Sequence, residues 1–198
     1  MLASIHPLGE RARDRRWSVT VSAYVLGSTV AAALLGTALG AVGGLLPLTP
    51  SVTAVLVVAL CAAALAFDLR VGGLRLPTVH RQVDQDWLDR YRGWVVGIGF
   101  GLQLGLGVVT IVTTAAVYLT LALALLTGSP GAGALVGATF GLVRAVVILA
   151  MARIRRPDQL RRALRRMQAL RPLSDRLGIA VQALALLAAL VRSASWKS

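Results

Sequence analysis

The chain has 198 residues, of which 57% are hydrophobic and only 15% charged, with a mean hydropathy of +0.74. A soluble domain carries nearer a quarter charged residues, so this composition excludes an ordinary soluble fold and implies an all-α, polytopic integral membrane helix bundle. The net charge of +13 does not signal nucleic-acid binding, because the arginines fall in blocks between apolar runs, as membrane topology requires.

Residues 1–18 are polar and hold Arg11, Arg13, Arg15 and Arg16, with no apolar core or small-residue cleavage site before the first long apolar run. That run is expected to act as an uncleaved anchor. Spans are expected at about 19–46, 51–67, 93–127, 134–154 and 177–191. Pro47 and Pro50 punctuate the turn between the first two, and residues 127–133 form the small turn before the fourth. The lone cysteine, Cys61, reads as a small core hydrophobe within the second span.

Residues 68–92 read as a polar loop. Asp84, Asp86 and Asp89 with His80 match no metal-ligand spacing, so no metal is expected there. Asp84 is better placed as a helix cap, with Trp87, Tyr91 and Trp94 as interfacial anchors.

The stretch 93–127 carries no charge, opens with Gly97, Gly99, Gly101, Gly105 and Gly107, and runs on through Thr110, Thr113, Thr114, Tyr118 and Thr120. A spanning helix needs about 20 apolar residues, so this run is too long for one straight helix and too short for two with a polar turn. A long, tilted or broken third span resolves the conflict, its glycines and threonines facing other helices or a cavity. The four-residue repeats Gly97/Gly101/Gly105 and Gly36/Gly40/Gly44 suit close helix contact.

Between the fourth and fifth spans, Leu160, Leu164 and Met167 recur at helical spacing. Arg161, Arg162, Arg165 and Arg166 take the other face, and Pro157 with Asp158 marks the start. This predicts a basic amphipathic interfacial helix over 155–172, held to anionic lipid headgroups. Residues 1–18 hold four arginines, the 68–92 loop five and 153–176 nine, while the turns at 47–50 and 127–133 hold none. With five crossings, all three basic segments share one side. The N-terminus is then expected in the cytoplasm, and residues 192–198 form an extracytoplasmic tail of a plasma-membrane protein.

Arg144 is the sharpest single residue. An arginine near the centre of a span costs at least ~2.5 kcal/mol unless it meets a partner or water. No carboxylate lies in the middle of a span, so its company is expected among Gln103, Thr110, Thr113, Thr114, Tyr118 and Gln182. It either caps exposed carbonyls of a broken neighbour, binds an anion or substrate, or snorkels to the surface. The threonines line a pathway or bond back to their own helices. No nucleophile–base pair, cysteine pair or phosphate loop is present, so neither enzymatic activity nor a cofactor is expected.

The run Gly97-Ile-Gly-Phe-Gly-Leu-Gln-Leu-Gly-Leu-Gly107, leading into Val108-Val-Thr-Ile-Val-Thr-Thr114, and the run Gly137-Ala-Thr-Phe-Gly-Leu-Val-Arg144 carry a family likeness. They resemble the membrane domain of the CcdA/DsbD thiol-electron-transport family, distantly grouped with the LysE and TauE/SafE exporters. On that resemblance, residues 27–46 and 55–76 correspond to a second and third helix, and His6-Pro-Leu-Gly9 is a remnant of the first. The resemblance places the family's redox cysteines near residues 110 to 112, where this sequence has Thr110, Ile111 and Val112. Thiol–disulfide transfer needs two thiols, so the chain alone does not perform it. Three functions stay open: a small-solute or ion permease or exporter with a midplane polar site; a non-catalytic accessory subunit for a cytochrome or thiol-redox membrane complex; and membrane scaffolding through the basic helix. Five spans make a thin wall for a pathway, so a homodimer or a hetero-oligomer with another membrane protein is expected.

Overall fold

The computed structural model describes residues 10, 16–73, 91–107, 114–152 and 156–195, and these are helical with short connections. Among the described residues six α-helices have given bounds: α1 (Trp17–Gly44), α2 (Pro50–Asp68), α3 (Gly93–Gly105), α4 (Ala116–Leu126), α5 (Pro130–Val146) and α6 (Pro157–Ser195). Residues Val71–Gly73 and Val147–Met151 add 3₁₀ turns after α2 and α5.

α1 is the central rod, packed chiefly against α5 and α3. Its sequence sorts residues by size rather than by polarity. Gly27, Ser28, Ala31, Ala32, Gly36, Gly40 and Gly43 are buried, while Leu26 and Leu34 are about two-thirds exposed, at 64% and 65%. Lipid tails are as apolar as leucine, so a membrane helix gains by turning small residues toward its neighbours and large ones toward lipid.

The glycine repeats set the register. A Cβ at Gly36 would fall on the carbonyl of Gly133, and one at Gly137 on the carbonyl of Ala32. Gly40 backs onto Ser129, and the Ser28 Oγ donates to the Gly141 carbonyl at 3.0 Å. α5 therefore runs antiparallel to α1. On the other flank Gly97 meets Thr20, Gly101 meets Tyr24 and Gly105 meets Ser28, so α3 runs parallel to α1. Ser28, fully buried, is the point where both glycine seams converge.

Near Ser28 the third crossing breaks. α3 ends at Gly105, and Gly107 turns the chain with φ of +69°, a left-handed conformation that glycine adopts without strain. α4 resumes at Ala116 and ends where the Leu125 carbonyl abuts Gly43, near the far end of α1. Helices of 13 and 11 residues give about 36 Å in series, enough for one crossing of a core about 30 Å thick. Among the described residues, four stretches are individually long and apolar enough to cross: Trp17–Gly44, Pro50–Asp68, Pro130–Leu149 and Pro172–Val191. With the α3–α4 pair they make five crossings in a multi-pass membrane protein.

α2 opens on Thr49, whose hydroxyl accepts from the Val52 N–H at 3.4 Å, with Pro50 at the first helical position. It pairs with α6 and packs on α4, joining Cys61, Ala64, Ala115 and Leu119 in one apolar cluster. Ahead of α1, Glu10 is buried and accepts from the Thr20 hydroxyl at 2.6 Å, so this carboxylate belongs to the core.

Two boundaries differ from the sequence expectation. The fourth span begins at Pro130, not near 134, because Pro130 suits the first turn of a helix. The basic helix and the fifth span, expected as separate elements over 155–172 and 177–191, are one 39-residue helix running through Pro172. At 1.5 Å per residue such a helix measures about 58 Å along its path, so its basic half is joined to the span without an intervening loop. Proline costs a helix one hydrogen bond, and the good helix formers on both sides carry α6 through it.

Candidate functional site at the broken third crossing

Asp68, the last residue of α2, organises the break. Its Oδ1 accepts from the backbone N–H of Ala115, the residue that caps α4, at 2.7 Å. Its Oδ2 accepts from the Gln182 Nε2 of α6, also at 2.7 Å. The carboxylate thus ties together three helices and meets the positive end of the α4 dipole. Gln182 is 4% exposed and sits at the middle of the apolar stretch Pro172–Val191. Its Oε1 is buried and has no hydrogen-bond partner among the described residues.

Sequence reasoning missed Asp68, placing it in the 68–92 polar loop. The signal that finds it is spacing. Cys61, Ala64 and Asp68 fall at intervals of three and four, so Asp68 prolongs the face by which α2 packs on α4.

Arg144 lies one helical turn beyond Phe140 on α5 and sits over that ring, 5.2 Å from its centroid. Gly107 backs onto the same ring and onto Val117, so the guanidinium approaches the lower lip of the break through Phe140. Tyr24 of α1 is within electrostatic reach of it, and one of its terminal nitrogens is buried. A cation over an aromatic face gains about 0.5–2 kcal/mol, the larger value when desolvated. Gln103 and Tyr118 are half-buried on the two arms of the break, and Thr114 is half-buried at its upper edge. Thr110 and Thr113 lie outside the described residues. Of the other membrane threonines, Thr29, Thr37 and Thr120 bond back to carbonyls of their own helices. The polar groups therefore divide into two sets, Arg144 with Phe140 and Tyr24, and Asp68 with Gln182. A carboxylate thus joins the polar company at the break, from a position read as loop.

At the far end of the bundle an apolar cavity of about 510 Å³ opens between Gly43, Gly44, Pro50, Val57, Leu126 and Ala189. Among the described residues no cluster of metal-ligating side chains forms. Cys61 is buried in the α2–α4 seam.

A family model described as the cytochrome c biogenesis protein transmembrane region matches residues 2–190. The chain belongs to that family. The match covers both halves and so extends beyond the glycine-rich runs that carried the resemblance. Two curated relatives are similar to it. The methylamine utilization protein MauF of Paracoccus versutus is 32% identical over 147 residues, covering 72% of this chain and 54% of the relative. MauF of Methylophilus methylotrophus is 32% identical over 140 residues, covering 67% and 47%. The chain spans about half the length of these relatives. No solved structure matches it.

Proposed function

We propose that this member of the cytochrome c biogenesis transmembrane family is a non-catalytic accessory subunit supporting the maturation of a redox protein or complex whose thiols lie on another chain. The observation that carries this reading is Cys61. It is the single cysteine of the sequence, 2% exposed and packed with Ala64, Ala115 and Leu119, away from solvent. A lone buried thiol forms no internal disulfide and has no resolving partner. The family's helical frame and its broken crossing remain, which suits a scaffold that positions a thiol-bearing chain.

Because the relatives are named for methylamine utilization, growth on methylamine is the first phenotype to score in a deletion strain. A Cys61→Ala copy is expected to restore the phenotype fully, and mild-detergent purification is expected to recover a second, cysteine-bearing chain. Loss of function in Cys61→Ala at unchanged protein level refutes the reading. A second reading, a small-solute or ion permease, is favoured by the polar Asp68–Gln182 pair between the helices. In the Cys61→Ala background, a cysteine at Thr114 that reacts with a hydrophilic thiol reagent in intact membranes supports the permease, and protection there supports the scaffold.

The reading also places the chain in the plasma membrane with its arginine-rich segments, and hence its N-terminus, in the cytoplasm. Arg161, Arg162, Arg165 and Arg166 are all exposed, and Leu160, Ala163 and Met167 on the opposite face are half-buried. Each arginine near an anionic leaflet contributes about 1 kcal/mol. Replacing all four with glutamine is expected to invert or mix the topology, read by protease accessibility of a C-terminal tag. An unchanged topology means that the other basic segments suffice.

A further inference from the structure

We propose that the apolar cavity at the far end of the bundle is a binding site for one long acyl chain of a membrane lipid. The cavity is the upper end of the seam where α2, α4 and α6 meet. Lower down that seam is filled: Cys61, Ala64, Ala115 and Leu119 are buried in it, with Leu60, Leu123 and Leu186 packed against them. The three faces continue upward by one turn each, to Val57, Leu126 and Ala189, and there they line open space instead.

Residue size explains the room. Ala54 and Ala189 occupy inward positions of α2 and α6, while Gly43, Gly44 and Gly128 bring no side chain from the opposite wall. α1 spends its small-residue face chiefly on α5 and α3, so it does not close on α2. Protein interiors keep few voids larger than a water molecule, so a gap of this size between spans takes an occupant.

Volume, depth and polarity together describe that occupant. An apolar cavity of roughly 150 Å³ holds the six carbons of benzene, so about 510 Å³ holds roughly twenty, the size of one lipid chain. The 19 residues of α2 match a hydrocarbon core about 30 Å thick, which places Val57 about 10 Å below its edge. The rim residues Gly44, Leu46, Thr127 and Gly128 are exposed, whereas Ala54 and Val57 are half-buried, so the mouth lies at the headgroup level. Among the described residues no charged side chain lines the space. The lining hydroxyls are already spent, Thr53 donating to the Thr49 carbonyl at 3.1 Å and Thr127 to that of Ala124 at 2.7 Å. A buried water needs two to four polar partners and finds few here. The turns that frame the mouth, 45–49 and 127–129, carry no arginine or lysine, so the site holds a chain without selecting a charged headgroup. The inference rests on neither the accessory nor the permease reading.

The test reconstitutes the full chain in phosphatidylcholine vesicles with a trace of phosphatidylcholine whose chain ends in a photoreactive diazirine. Samples are irradiated in the vesicles, and again after the vesicles are dissolved in excess detergent, and labelled residues are located by mass spectrometry. Wild type is expected to carry label at Val57, Leu126 or Ala189 under both conditions. Label at Val55, exposed on the outer face of the same helix, is expected to fall about tenfold in detergent as loosely held lipid is diluted away. Ala54→Phe combined with Ala189→Phe puts two benzene-sized rings into the cavity, and is expected to lose the inner label while keeping that at Val55 in vesicles. Absence of inner label in wild type, its loss in detergent along with Val55, or its persistence in the filled variant overturns the proposal. A phosphatidylglycerol probe is expected to give the same pattern, and labelling by one headgroup alone overturns the assignment to the chain. Should the double variant fail to fold, Ala54→Phe alone is judged by the same outcomes.

Discussion

Leucine at Gly36 or Gly133 is expected to prevent recovery of a folded, monodisperse protein, a loss of more than about 3 kcal/mol. At both positions a Cβ would land on a backbone carbonyl of the facing helix, each glycine on the other. Overpacking a core ordinarily costs about 1–3 kcal/mol because neighbouring side chains give way. Here the neighbour is backbone held inside a helix, and relief requires moving α1 away from α5 along their whole contact. Against a total stability of about 5–15 kcal/mol, that separation is not survivable for a marginal bundle. Gly178, inside α6, provides the opposite sign, since nothing lies within 4 Å of a Cβ built there. Gly178→Ala is expected to raise stability by about 0.5–1 kcal/mol through helix propensity alone. Size-exclusion profiles and melting of the three variants in one detergent check both signs. A well-folded Gly36→Leu protein shows that the α1–α5 seam is looser than described.

Removing the Asp68 side chain is expected to produce the second largest effect. Asp68→Ala deprives the Ala115 N–H and the Gln182 amide of their acceptor at once. Hydrogen bonds to a charged group are worth about 1.5–3 kcal/mol each, and Asp68 is only partly buried, so a combined loss of about 2–4 kcal/mol is expected. Asp68→Asn, which still accepts from Ala115, is expected to lose about half as much. Denaturant unfolding measures both, and a double-mutant cycle with Gln182→Leu isolates the bond between the two side chains. An Asp68→Ala protein within about 0.5 kcal/mol of wild type means that the break is held by apolar packing alone.

The broken crossing was legible because residues 93–127 are the wrong length for the bilayer and rich in glycine, and both facts are local. The glycine seams were legible for the same reason: a four-residue repeat marks a close-packing face wherever the partner lies. Which helix fills the face is not local. Gly36/Gly40 and Gly133/Gly137 carry the same pattern as Gly97/Gly101/Gly105, and no residue says which pair meets. Asp68 was read as part of the 68–92 polar loop, and its partner Gln182 lies 114 positions away. The fusion of the basic helix with the fifth span was hidden by Pro172, ordinarily a stop signal and here carried inside α6.

The order of the seams along the chain has a consequence for biosynthesis. The face of α1 that receives Gly133 is made 97 residues before Gly133 itself, the difference between positions 36 and 133. At a translation rate of about 5–20 residues per second, the first rod waits about 5–20 s beside the ribosome with its grooves filled by acyl chains. A chain stalled before residue 93 therefore leaves the first rod without either of its two chief neighbours, since it packs mainly on α3 and α5 rather than on α2.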